Sequence, residues 1–323
     1  MQTLRMSVAA LLLIGASLPA ASATEELSGD ALVIQAQIPR SGNWLAVGFD
    51  SVWTTVATKV IRIGMADNAI TEFEVGASGF FRAIVAGEGA VWLPDMNLSQ
   101  IKKIDPATGD VLLEIPAKML YVQSKLATGA GSIWVVTAGG GMEKTLSRFD
   151  ATTGATEAEI ALPSVGSNAE YAFGSVWVAG PEANAVFRID PATNTVAETI
   201  ALHQKPKQIC ADETSVWVLN TYDGFVDRID GATGKVVASI DAGLIVPHDG
   251  DLACGGGYVW AHIAAGTAGE KMLDSIPVAQ IDPATNTVLR KYVGGKGFGW
   301  DLRYGDGSIW MTGSSVFRVE PPR

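Results

Sequence analysis

The sequence predicts an all-β protein, a seven-bladed β-propeller with four-stranded blades, and three observations predict it. A strand signal ending in Trp recurs seven times: Ser51-Val52-Trp53, Ala90-Val91-Trp92, Ser132-Ile133-Trp134, Ser175-Val176-Trp177, Ser215-Val216-Trp217, Tyr258-Val259-Trp260 and Ser308-Ile309-Trp310. Successive Trp residues lie 39, 42, 43, 40, 43 and 50 positions apart. A period near forty with strand-like content is the mark of a propeller, one sheet per repeat. A turn recurs with the same period: Asp105-Pro106-Ala107-Thr108-Gly109, Asp150-Ala151-Thr152-Thr153-Gly154, Asp190-Pro191-Ala192-Thr193-Asn194, Asp230-Gly231-Ala232-Thr233-Gly234 and Asp282-Pro283-Ala284-Thr285-Asn286.

Residues 207–240 show one blade most clearly. Gln208 to Ala211 is a first strand and Asp212-Glu213-Thr214 a turn. Ser215 to Leu219 is a second strand, Asn220 to Gly224 a loop, Phe225 to Ile229 a third strand and Lys235 to Ile240 a fourth. Alternation and β-branched residues support each strand. In the recurring turn, Asp bonds the backbone two residues on, Pro presets φ, and Gly or Asn takes the left-handed position. One carboxylate per copy is too few for a Ca²⁺ loop, so the turn is structural. The Trp, one per blade at a fixed strand position, fills the wedge between neighbouring sheets rather than forming a ligand cage.

The last repeat stops at Arg323 before any fourth strand, while Ala31 to Pro39 forms an orphan strand ahead of the first complete repeat. Pairing these pieces closes blade seven and removes an exposed edge. Residues 31–323 are therefore expected to form the propeller, with 24–30 a loose, flexible tail. Residues 1–23 read as a signal peptide: Arg5 in the n-region, Val8 to Leu18 as the apolar stretch, and Ala21-Ser22-Ala23 as the cleavage site. The address expected is the periplasm or the medium. No later stretch is long enough to span a membrane, so no membrane insertion is expected.

Charged residues make up 18% of the chain, below the usual quarter. Cleavage after Ala23 removes one of 23 basic residues, leaving 22 against 34 acids and a net charge of about −12. That balance argues against nucleic acid or an anionic membrane as partner. Cys210 and Cys254 stand seven and six residues before their Trp. An oxidising compartment permits a bridge; the unequal offsets point the two to opposite faces of a regular strand unless the turns differ in length. Both states stay open.

The units 186–196, Val-Phe-Arg-Ile-Asp-Pro-Ala-Thr-Asn-Thr-Val, and 226–236, Val-Asp-Arg-Ile-Asp-Gly-Ala-Thr-Gly-Lys-Val, resemble those of bacterial YVTN-type propellers. The wider relative is the virginiamycin B (streptogramin) lyase-like superfamily. The likeness covers nearly all of the chain after residue 23, and its motifs specify blades. It implies catalytic His and Glu around one mouth of the channel, with Mg²⁺ or another divalent metal. Those lyases begin a first strand with Pro-His; the matching element here is Pro206-Lys207-Gln208-Ile209, with Lys in place of His, while Pro247-His248 is followed by Asp249-Gly250. The Glu expected shortly after a blade Trp is absent from these repeats.

Strand order assigns the rims. First-to-second and third-to-fourth turns share one rim, built from tight repeated turns. Second-to-third loops and blade-to-blade crossings share the other, which is irregular and holds the long insertion Ala264 to Pro277. Variable loops on a rigid scaffold are where function is usually placed. His203, His248 and His262 all fall on that rim, in one sector with Tyr222, Asp223, Asp249 and Asp251. His248 and His262 are the candidate catalytic bases and Tyr222 the candidate acid. No His-x-His or His-x-x-x-His spacing supports a metal.

The residues nine or ten before each Trp converge on the inner mouth: Trp44, Arg82, Lys125, Asn168, Lys207, Asp251 and Trp300, with Arg303 one step deeper. Four cations and two aromatics there favour an anionic ligand with a flat or sugar-like body. The leading expectation is an exported, monomeric propeller that binds a small anionic molecule or a protein segment at the irregular mouth. The alternative is a lyase or hydrolase using a mouth His as base, with Arg82 or Lys207 stabilising the anion.

Overall fold

The computed structural model describes residues 24–322, apart from 41, 43, 77–82, 120–125, 140–141, 245–249, 264–277 and 294–297. The leader, Arg82, Lys125, His248, Asp249 and the insertion 264–277 lie outside the described residues, as does the side chain of Trp300.

Seven antiparallel sheets succeed one another along the chain, each running from an innermost to an outermost strand. Blade one comprises Leu45–Gly48, Ser51–Val56, Lys59–Gly64 and Ile70–Glu74, and blade five Pro206–Ala211, Ser215–Asn220, Phe225–Asp230 and Val236–Asp241. Innermost strands neighbour one another in chain order. That of blade seven, Phe298–Gly305, also neighbours that of blade one, which closes the ring. Ile34–Ile38 pairs antiparallel with Val316–Val319 and supplies the fourth strand of blade seven, as the sequence predicts.

The segment just before it departs from the expected loose tail. Glu25–Ser28 runs parallel to Thr287–Val293 and adds a fifth strand to blade six. Leu27 packs against a core cluster containing Tyr292, Leu302 and Phe317, and Arg290 Nε donates to Glu25 at 3.1 Å. A polar stretch with one apolar residue has little strand signal of its own; the open edge of blade six supplies the partner.

All seven repeated Trp side chains are fully buried. Each lies across from the third-strand residue that carries a cation in six blades, for example Trp134 opposite Arg148 and Trp310 opposite Arg318. Arg148, Arg188, Arg228 and Arg318 place their guanidinium carbons 4.7–5.2 Å from the ring centroids. The same cations then reach the next blade: Arg62 to the Pro106 carbonyl at 3.0 Å, Lys103 to that of Ala151 at 2.7 Å and Arg148 to that of Pro191 at 2.8 Å. In blade six the position is Gln280, whose amide donates to the Pro322 carbonyl at 3.0 Å.

The recurring turns behave as read. Asp105 Oδ1 accepts from the N–H groups of Ala107 and Thr108 at 2.8 and 2.9 Å, and Gly109 sits at φ 78°. Asn194 and Asn286 take the same left-handed position at φ 54° and 55°.

Candidate functional site

The innermost strands enclose an axial cavity of about 280 Å³. Its walls are ordered by register. The residues opposite each Trp form one level: Ala46, Val85, Ala127, Glu170, Cys210, Ala253 and Arg303. Most are small, which leaves the axis open at this level. Cys210 is joined to Cys254 of the next blade, with Cα atoms 5.7 Å apart, so the two neighbouring blades are cross-linked in the cavity wall.

Arg303 is the fixed cation of this wall. Its Nη1 lies 2.8 Å from Asp301 Oδ1 and donates also to Asp251 and to the Leu302 carbonyl. Both carboxylates are buried, whereas the Arg303 side chain stays 20% exposed. Burying carboxylates requires that their oxygens be satisfied. Asp251 Oδ1 accepts from Leu252 N and Oδ2 from Leu302 N, both at 2.9 Å. Asp301 accepts from the N–H groups of Leu45 and Leu302. Asp251 thus ties blade six to seven, and Asp301 ties blade seven to one.

Asn168 repeats the device between blades four and five. Its amide donates to the Lys207 carbonyl at 2.7 Å and to Gln208 Oε1 at 2.8 Å. Two of the residues expected as ligand contacts, Asn168 and Asp251, are therefore engaged in stitching adjacent blades. Trp44, half-buried, packs with Trp53, Val60 and Leu93 in a blade core. Lys207 sits where the pairing register of its strand shifts, and a bulge of this kind re-aims a side chain relative to a regular strand. Trp300 occupies a similar irregularity between Phe298 and Leu302.

Two of the three His residues, His203 and His262, are among the described residues. His262 is 1% exposed and lies directly across from Asp251 in the neighbouring strand. A base so enclosed does not meet a solute without movement of its surroundings. Tyr222 is 54% exposed, in a loop whose N–H bonds the Gln204 carbonyl at 3.4 Å.

His203, on the same patch, is the better-organised imidazole. Its Nδ1 lies 3.0 Å from Asp227 Oδ1, and its ring stacks on Phe225 at 4.1 Å with 2° between planes. Asp227 is buried and accepts also from His203 N and Asn220 Nδ2, each at 3.0 Å, and from Ser239 Oγ. Asp227 escaped the sequence reading, though a signal was present. The third-strand position preceding the cation is Ile61, Phe187 and Phe317 in other blades, and an acid there needs partners.

Among the described residues no group of three or more His, Cys, Asp or Glu is placed to hold a metal ion.

No family model and no curated protein matches the sequence. Among solved structures, the chain is similar to a crystal structure of the computationally designed Ika8 protein, with a TM-score of 0.61 and 14% identity over 90% of this chain and 99% of that one. At that identity the likeness establishes the fold alone. No helix among the described residues is long and apolar enough to cross a membrane.

Proposed function

We propose that this propeller is a binding protein that takes a small ligand in the axial cavity, an anionic group of the ligand resting on Arg303 with Lys207 nearer the rim. One observation carries the reading: a guanidinium lines the cavity and is held in place by two buried carboxylates. Such a group is already oriented, so a ligand carboxylate or phosphate meets it at little entropic cost. Its planar fork suits those anions, and charge-assisted bonds are about twice as strong as neutral ones. The acidic balance of the chain supports a small molecule rather than nucleic acid as partner. In this reading the protein is exported and acts as a monomer. Calorimetric titration with galacturonate and inorganic phosphate tests it. Arg303→Lys and Lys207→Ala should each weaken binding at least tenfold, and an unchanged Kd in both discards the assignment.

A second, catalytic reading is favoured by the His203–Asp227 pair. A buried carboxylate that fixes Nδ1 leaves Nε2 as the basic atom, the arrangement of an oriented general base. A lyase or hydrolase of this kind would use His203 in place of His262, with Tyr222 on the same patch. Turnover of lactone, uronate and phosphate-ester substrates, with and without EDTA, tests it. Activity that survives His203→Ala removes the proposal, and dependence on His248 instead would move the base to the blade five-to-six crossing.

A further inference from the structure

The Cys210–Cys254 bridge stands in the wall of the axial cavity, and the anion site at Arg303 makes no use of it. Cys210 belongs to the innermost strand of blade five and Cys254 to that of blade six. One side of the bridge packs against the core cluster that holds Trp217, Leu252 and Val259. The other side lines the cavity, and both cysteines are half-buried rather than enclosed. Beside the cysteines in their own strands stand Ala211 and Ala253, each carrying a single methyl. Neither of these neighbours is large enough to screen the disulfide from the axis.

We propose that this disulfide is a thiol-exchange site, opened from the cavity by a low-molecular-weight thiol while the protein stays folded. The thiolate of the small molecule attacks the sulfur of one cysteine, and the S–S bond breaks. The other cysteine sulfur leaves as a thiolate and takes up the proton that the small thiol gave up. The product is a mixed disulfide beside one free cysteine thiol. A second small thiol repeats the attack on the mixed disulfide and releases the small molecule as its own disulfide. The protein then holds two thiols and has gained two electrons and two protons, while two small thiols have been oxidised.

The walls select the reagent by size. Exchange needs a thiolate in contact with a cysteine sulfur, so access governs its rate. The cavity measures about 280 Å³, at the small end for a ligand site, and seven sheets surround it. It takes a small thiol and excludes a protein dithiol, whose active site would have to enter with its own fold. The ring also has the means to survive the opening. The innermost strands of blades seven and one still adjoin, and Ile34–Ile38 still completes blade seven. One core cluster spans blades five and six, with Leu219 and Val226 from one and Ala261 and Ile281 from the other, so apolar packing holds the pair once the covalent link is gone.

The test incubates the native protein with 2-mercaptoethanol or with a reduced thioredoxin, quenches with acid, alkylates the thiols and reads the products by mass spectrometry. At equal thiol concentration 2-mercaptoethanol should open the bridge at least tenfold faster than thioredoxin. Its rate should not change with urea below the unfolding transition. A bridge that thioredoxin opens as fast lies on an open surface, which overturns the proposal. A rate that climbs with urea from the first addition shows that only unfolded chains react, which overturns it equally. The Cys254→Ser protein gives a second reading, because Cys210 is then a free thiol in the cavity wall. It should react with methyl methanethiosulfonate and resist a polyethylene glycol maleimide until urea unfolds the chain. Labelling of the folded protein by both reagents, or by neither, contradicts access through the cavity.

Discussion

The guanidinium of Arg228 lies 4.9 Å over the Trp217 ring and donates through Nη1 to the Pro283 carbonyl, at 2.6 Å, on the next blade. One side chain thereby covers the core Trp of its own sheet and staples that sheet to its neighbour. Asn286 Oδ1 accepts from the same nitrogen at 2.8 Å, so the Asn that closes the recurring turn is part of the staple. The repeat reads as a packing device because Arg62, Lys103, Arg148, Arg228 and Arg318 each donate to a backbone carbonyl of the next blade.

Arg228→Ala is therefore expected to cost about 2 kcal/mol, combining a cation–π contact with two inter-blade hydrogen bonds. Arg228→Lys should recover part of it. Urea denaturation midpoints measure both, and a midpoint unmoved by Arg228→Ala would show that the staple contributes nothing.

The Cys210–Cys254 bridge spans a sequence separation of 44 residues. On the chain-entropy account a loop of that length stabilises by about 4 kcal/mol. The Cys210→Ser, Cys254→Ser protein should unfold at clearly lower urea concentration, and the wild type should match it after full reduction.

Blade five departs from the others at its Trp. Six of the indoles donate to the backbone carbonyl five residues earlier, whereas Trp217 Nε1 donates to Asp212 Oδ2 at 2.7 Å. Burial pushes the Asp212 carboxyl up, but bonds from Thr214 N, Trp217 Nε1 and Ser215 N outweigh it and hold the carboxyl below its ordinary value. A depressed carboxylate stabilises the fold above its unfolded pKa, and that contribution fades as pH falls through the folded one. Asp212→Asn should therefore lower the melting temperature at pH 7, with the gap to wild type shrinking below about pH 4. A gap that is constant with pH would mean that the charge of Asp212 plays no part.

The N-terminal segment bridges two blades, parallel on blade six and antiparallel on blade seven. Removing residues 24–28 should lower the melting temperature by about 3 °C. Removing 24–38 should open blade seven and cause aggregation through its bare edge. Scanning calorimetry and light scattering distinguish the two, and a soluble, cooperative protein lacking 34–38 would refute the closure.

The wheel was legible because periodicity survives divergence: one Trp marks every sheet, and the Asp turn marks five of the seven. The closing strand was legible because a lone strand at one end matches a three-strand remainder at the other. The fifth strand of blade six was not, since Glu25 to Ser28 carry almost no strand preference and gain it only from an available edge. The disulfide was undecidable for a different reason. Cys210 pairs with Trp217 and Cys254 with Val259, a one-residue difference in register, and the two strands belong to separate sheets. Alternation within a strand does not govern contacts between blades. At the mouth, spacing from the Trp picked out Asn168, Asp251 and Arg303. It could not tell a side chain facing a ligand from one bonded to the next blade's backbone, because that depends on the neighbouring sheet.

The position of a bound anion tests the role of Arg303 most directly. A crystal structure of the protein with galacturonate should place the ligand carboxylate within hydrogen-bonding distance of the Arg303 guanidinium, inside the axial cavity. Ligand density at the outer strands or the regular rim, with the space beside Arg303 filled by water, would contradict it.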